Sequence, residues 1–136
     1  MERNPKPYLQ DSFAIDNETV EDVKGQIGNA ELVDHSRRLV KKLWNVAEGV
    51  WCFVGNGLSN QTFVEGPEGL IVIDTGECVE EMAEALVAIR KETQSPIAAV
   101  IYTHFHYVAG TKAVFTSEER DDIPIWGHER ITMNRR

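Results

Sequence analysis

The chain has 136 residues, enough for one domain and short for two. Apolar residues make up 42% and charged residues 26%, a globular rather than a disordered balance. The 22 Asp and Glu against 14 Lys and Arg leave a formal net charge of −8, which argues against nucleic-acid and anionic-membrane partners, since phosphates need a basic face.

In chain order, residues 1–16 read as an extended arm, with Phe13 and Ile15 available to pin it to a core. Its start, Met1 to Pro7, is polar and proline-bearing and lacks the apolar centre of a signal peptide. No stretch reaches the length of a membrane span, so a cytoplasmic chain is expected. The pattern over 17–43 is helical but interrupted by Gly25 and Gly28, predicting two short helices over 20–26 and 30–41. Arg37, Arg38, Lys41 and Lys42 make a basic run facing water at the second helix's C-terminus, where the helix dipole favours cations. Residues 1–42 are thus an arm with short helices, and 43–136 the main domain.

The period then changes. Leu43 to Val46 leads through the turn Ala47-Glu48-Gly49 into Val50 to Val54, a run rich in aromatic and β-branched residues. Gly55-Asn56-Gly57 breaks it, as a hairpin or bulge rather than a phosphate loop, and a strand resumes over 60–65. Gly66-Pro67-Glu68-Gly69 is a turn, and Leu70 to Ile73 a continuous apolar run suited to a buried strand. Helical spacing follows over 79–92, with Val79, Met82, Ala83, Leu86 and Ile89 on one side and Glu80, Glu81, Glu84 and Lys91 on the other. Ile97 to Tyr102 reads as another buried strand, Thr111 to Phe115 as a helix, and Ile123 to Trp126 as a last strand. Strands followed by strand–helix–strand–helix–strand make an α/β layered fold with a mixed sheet whose N-terminal strands are antiparallel. Trp44, Trp51 and Trp126 are core candidates, and Cys52 and Cys78 are expected to be small buried hydrophobes.

The residues most able to carry chemistry are Thr103-His104-Phe105-His106, where a buried strand meets a loop. Histidines at i and i+2 of an extended segment share a side and can reach one metal ion; equally, they can hydrogen-bond and pack the loop. Asp74, at another strand end, could orient a ligand imidazole, and with Thr75 it could cap the following helix. Tyr107 is read as a packed loop aromatic, His128 as a surface or capping histidine, and His35 as solvated.

Three ordered segments, Leu58 to Gly66, Gly69 to Gly76 and Ala99 to His106, together resemble the metallo-β-lactamase superfamily, most closely its alkylsulfatase branch. The resemblance implies an αββα sandwich with a zinc site in which His104 and His106 are the first two ligands and Asp74 supports. Typical members continue the motif as HxHxDH, whereas here Val108 and Ala109 stand at the Asp and final His positions. Neither can donate to zinc, so one ion at most is implied, and the family's remaining ligands would lie beyond residue 136. The implied activity is metal-dependent hydrolysis of small-molecule sulfate esters by metal-bound water in a longer parent, this chain being its N-terminal half and inactive alone. The alternatives are a non-catalytic relative used for binding or scaffolding, and a hydrolase of another ester or thioester. Oligomeric state is left open.

Overall fold

The computed structural model describes residues 18–36 and 39–134. The arm over 1–16 with Phe13 and Ile15, and Arg37 and Arg38 of the basic run, lie outside the described residues. The chain divides into two units, one ending at Leu39 and one starting at Val40.

In the first unit, β1 (Thr19–Glu21) and β2 (Ile27–Asn29) pair antiparallel, and α1 (Ala30–Ser36) follows. The helix expected over 20–26 is therefore a hairpin. The Asp22 carboxylate accepts hydrogen bonds from the backbone N–H of Lys24 and of Gln26, each at 2.8 Å, and Gly25 takes a left-handed φ of 78°. That local bonding competes directly with helix, as short polar side chains do. Asn29 caps α1, its side-chain oxygen accepting from Glu31 N at 2.9 Å and Leu32 N at 3.3 Å. The helix ends at Ser36, short of the expected residue 41.

The second unit holds a six-stranded sheet in the order β3 (Lys42–Ala47), β4 (Val50–Val54), β5 (Gln61–Gly66), β6 (Gly69–Ile73), β7 (Ile97–Ile101), β8 (Ile125–Trp126). Neighbours are antiparallel from β3 to β6, then parallel from β6 to β8. Parallel pairs need crossovers, and α2 (Val79–Ile89) and α3 (Thr111–Glu118) supply them. The mixed α/β class read from the sequence is the observed one.

Alternation within the strands gives the sheet two different faces. Trp51, Phe53, Phe63, Leu70, Val72, Ile97 and Val100 are buried with Met82, Ala85, Leu86 and Ile89 of α2 and Ala113 and Val114 of α3. The buried stripe of α2 has the i, i+3, i+4, i+7 spacing of a core-facing helix, but it runs through Ala85; the expected Ala83 is exposed. The opposite face carries a row that crosses all six strands in register: Trp44, Cys52, Thr62, Ile73, Ile101 and Trp126. The row has no charge and none of its members is buried. Trp44 and Trp126, expected in the core, sit on this row 45% and 65% exposed, and only Trp51 is core. Cys52 and Cys78 are free thiols, half rather than fully buried.

The end of α2 is tied to α3 and β7 by one ion pair. Arg90 donates to Ser95 O at 2.6 Å and to the Glu118 carboxylate, whose other oxygen accepts from Ile97 N at 3.1 Å. No helix among the described residues is long and apolar enough to cross a membrane.

Candidate metal centre

Two adjacent parallel strands, β6 and β7, deliver the candidate residues to one sheet edge. In open α/β sheets the carboxyl ends of parallel strands are where ligands bind. Leaving β6, Asp74 takes a left-handed backbone with φ of 59°, which costs about 1–3 kcal/mol for a residue with a Cβ. Its N–H donates to Ile101 O at 2.9 Å, so the turn is closed onto the end of β7. This conformation aims the carboxylate at the histidine loop. Oδ1 accepts from Thr103 N at 2.9 Å, and Oδ2 accepts from the Thr103 hydroxyl at 2.6 Å. The same hydroxyl lies 2.8 Å from His104 Nδ1.

The capping role considered for Asp74 and Thr75 is not what they do. The N-cap of α2 is Cys78, which makes no side-chain cap, and Asp74 is committed to Thr103. Thr75 is fully buried and faces the loop after the histidines. Its N–H donates to Tyr107 O at 2.9 Å, and its hydroxyl lies 3.1 Å from that of Thr111, which donates to Val108 O at 2.8 Å. The Tyr102 hydroxyl joins Thr111 as well. Gly76 and Val108 form a parallel bridge, and a Cβ on Gly110 would lie 1.9 Å from Thr75 O. These bonds hold the two loops against each other over residues separated by about thirty positions, a distance no local spacing rule reaches.

Residues 103–106 form a bend rather than an extended strand, so the two histidines come together through the turn, not through strand alternation. Their ring centroids are 5.2 Å apart with planes at 69°. Two imidazoles on one tetrahedral zinc, each with nitrogen about 2.0–2.1 Å from the ion, place their ring centres about 5 Å apart. The ring spacing therefore suits a shared ion. His104 is half-buried and meets the Tyr107 ring edge-on at 4.7 Å; His106 is exposed and tilts against Phe105 at 3.9 Å. Among the described residues no cluster of three or more His, Cys, Asp or Glu is placed to hold a metal. The donor set thus fits part of a zinc site, two nitrogens of the usual three or four protein ligands.

Val108 is 6% exposed, its side chain packed inward, and Ala109 is half-buried. The two positions that depart from the HxHxDH pattern therefore supply packing. His128 is exposed and stands apart from this set, its Nδ1 accepting from Arg130 N at 3.2 Å just ahead of α4 (Ile131–Asn134). His35, in the first unit, is exposed. Thr103 opens the motif and Thr111 opens a helix, but no sequence pattern assigns either hydroxyl the organising role that it has here. A hydroxyl next to a histidine is the only local signal, and it is a common one.

The metallo-beta-lactamase superfamily model matches residues 54–107, the stretch from the end of β4 through both histidines. A linear primary-alkylsulfatase of Pseudomonas sp. (strain ATCC 19151) is 42% identical over 76 residues, covering 52% of this chain and 14% of that protein. Among solved structures, a double mutant of the sec-alkyl sulfatase PisA1 superposes with a TM-score of 0.68 at 18% identity, over 88% of this chain and 23% of that one. The mono-zinc form of the metallo-β-lactamase FIM-1 from Pseudomonas aeruginosa gives a TM-score of 0.54 at 18% identity, covering 69% and 44%. This chain thus spans about a seventh of the curated alkylsulfatase and less than half of either solved structure. Matched in sequence through the histidine loop and in fold over the sheet and its helices, the chain is similar to the metallo-beta-lactamase superfamily over residues 54–107 and, over about half its length, to alkylsulfatases.

Proposed function

We propose that these residues form part of a metal-dependent hydrolase of small-molecule sulfate esters, with His104 and His106 holding a single zinc ion. The observation that carries this reading is the 42% identity to a linear primary-alkylsulfatase in a chain whose two histidine rings stand 5.2 Å apart at the sheet edge. Zinc, when bound, supplies Lewis acidity toward water and toward an ester oxygen. The chain's own residues orient that chemistry. Asp74 and Thr103 set the direction of the His104 ring, and the Thr75–Thr111–Tyr102 hydroxyl cluster fixes the loop that carries both imidazoles. Two imidazoles leave most of the ion's coordination to other groups, so the 136-residue chain alone is expected to be inactive.

A second reading has its own support. The buried Val108 and the half-buried Ala109 offer no side-chain donor at the two positions that depart from the HxHxDH pattern, which suits a non-catalytic relative that keeps the fold for binding. Elemental analysis of the longer parent protein, with hydrolysis of a medium-chain alkyl sulfate assayed in parallel, separates the two. Stoichiometric zinc and hydrolysis, both lost on joint His104→Ala and His106→Ala substitution, support the enzyme. A folded, metal-free and inactive parent overturns it in favour of the binding module. Hydrolysis of a carboxylic ester or thioester, with sulfate esters untouched, would move the assignment to another substrate.

A further inference from the structure

The hydrogen-bond chain Asp74–Thr103–His104 permits one arrangement of protons when Asp74 is a carboxylate. A carboxylate accepts only, so the single hydroxyl proton of Thr103 is directed to Asp74 Oδ2, 2.6 Å away. Thr103 Oγ1 is then left with lone pairs alone toward His104. At 2.8 Å from Nδ1 it accepts, and Nδ1 carries the proton. In a neutral imidazole this leaves Nε2 with its lone pair exposed. The other end of the chain is anchored twice, through Oδ1 to Thr103 N at 2.9 Å and through Asp74 N to Ile101 O at 2.9 Å. A carboxylate that is 8% exposed and held in this way does not turn to water to release the hydroxyl. His106 makes ring contacts but no hydrogen bond among the described residues, so its tautomer is set by nothing comparable.

We propose that Thr103 is a positioning residue whose hydroxyl, polarised by Asp74, holds His104 in the Nδ1–H tautomer and leaves Nε2 as its available donor nitrogen. That Nε2 then serves a metal rests on the function proposed above; the tautomer does not. Metal-ligating imidazoles are commonly oriented by an acceptor on their second nitrogen. Here the acceptor is a hydroxyl, and the carboxylate acts on the ring through it.

The test is the tautomeric state of His104 in the metal-free chain, read from long-range proton–nitrogen correlations of the ring at a pH where imidazole is neutral, about 8. His104→Ala identifies its signals among the four histidines. Nδ1–H is expected in the parent and in Thr103→Ser. Thr103→Val removes the acceptor, and the ring should shift toward the Nε2–H form that free histidine prefers. Asp74→Asn is the sharper variant. Its amide nitrogen would donate to Thr103 Oγ1, turning the hydroxyl proton toward Nδ1 and inverting the ring to Nε2–H, as wrong-tautomer variants of catalytic histidines do. Amide-resonance dispersion confirms that each variant is folded. Nε2–H in the folded parent, or unchanged Nδ1–H in folded Thr103→Val, overturns the proposal. Zinc titration of the longer parent protein tests the metal reading separately. A folded parent that never binds zinc, with the Nδ1–H ring intact, would leave the relay standing and remove the hydrolase.

Discussion

Replacing Val108 by Asp writes the missing carboxylate of the HxHxDH pattern back into the chain, and its cost can be worked out beforehand. Val108 is 6% exposed and sits in a parallel bridge with Gly76, so the new group enters a closed position. The lost apolar burial is worth about 1.5–3 kcal/mol. The charge adds a bounded amount, because a carboxyl that cannot stay ionised takes up a proton instead. Protonating a group of ordinary pKa near 3.9 at about pH 7 costs about 4 kcal/mol, at 1.36 kcal/mol per unit. The total reaches at most roughly 5.5–7 kcal/mol, set against about 5–15 kcal/mol for a typical domain. The sign with pH follows. Burial raises the folded-state pKa, so the charge penalty is absent below about pH 4, where both states are protonated, and grows as pH rises to the raised value. Urea unfolding followed by far-ultraviolet circular dichroism at about pH 4 and about pH 7 measures both terms. An unchanged midpoint at the higher pH, or an equal loss at the two, would refute the reading of Val108 as packed in a closed position.

Two further outcomes follow from single positions. Gly110→Ala would bring a Cβ to 1.9 Å from Thr75 O and 2.6 Å from Met82 Cβ, backbone and core atoms that cannot swing aside, so a loss of about 3 kcal/mol or more is expected. Thermal unfolding of that variant with a midpoint equal to the parent's would show that the two loops are not in contact there. Glu65 accepts hydrogen bonds from Ser95 and Thr93, which hold its carboxyl below the ordinary 4.5. A depressed folded-state value means that its contribution is complete above 4.5 and is lost as pH falls through the lowered value. Glu65→Gln should therefore be less stable than the parent near neutral pH and converge on it in acid, which unfolding midpoints across that range will check.

The sheet and its crossover helices were legible because their information is local. Runs such as Leu70 to Ile73 and the 3.6-residue repeat through Met82, Leu86 and Ile89 report burial within a few residues of themselves. The same rule placed Ala83 in the stripe instead of Ala85, since a repeat gives the width of an apolar face and its neighbour gives the phase. Residues 20–26 were misread for a related reason. Their weak helical spacing lost to the Asp22 turn and the left-handed Gly25, which satisfy the backbone at once. Trp44 and Trp126 show the limit of hydrophobicity as a guide. Both lie on a strand face that no described residue buries, and composition does not say which face of a sheet is covered.

At the site the division is cleaner. His-x-His and its place at a strand end are properties of a short segment, and so is the absence of Asp and His at Val108 and Ala109. Together with the segments Leu58 to Gly66 and Gly69 to Gly76 they carried the resemblance to the family, and they pointed to a depleted metal set. What Asp74 does was open until folding brought it to Thr103, 29 positions away, because a carboxylate can cap a helix or hold a hydroxyl equally well by its chemistry. The tautomer-setting chain, the inward packing of Val108 and the contact at Gly110 are all contacts between two loops that parallel strand pairing brings together. Strand pairing sets their distances, and a one-dimensional pattern carries no term for them.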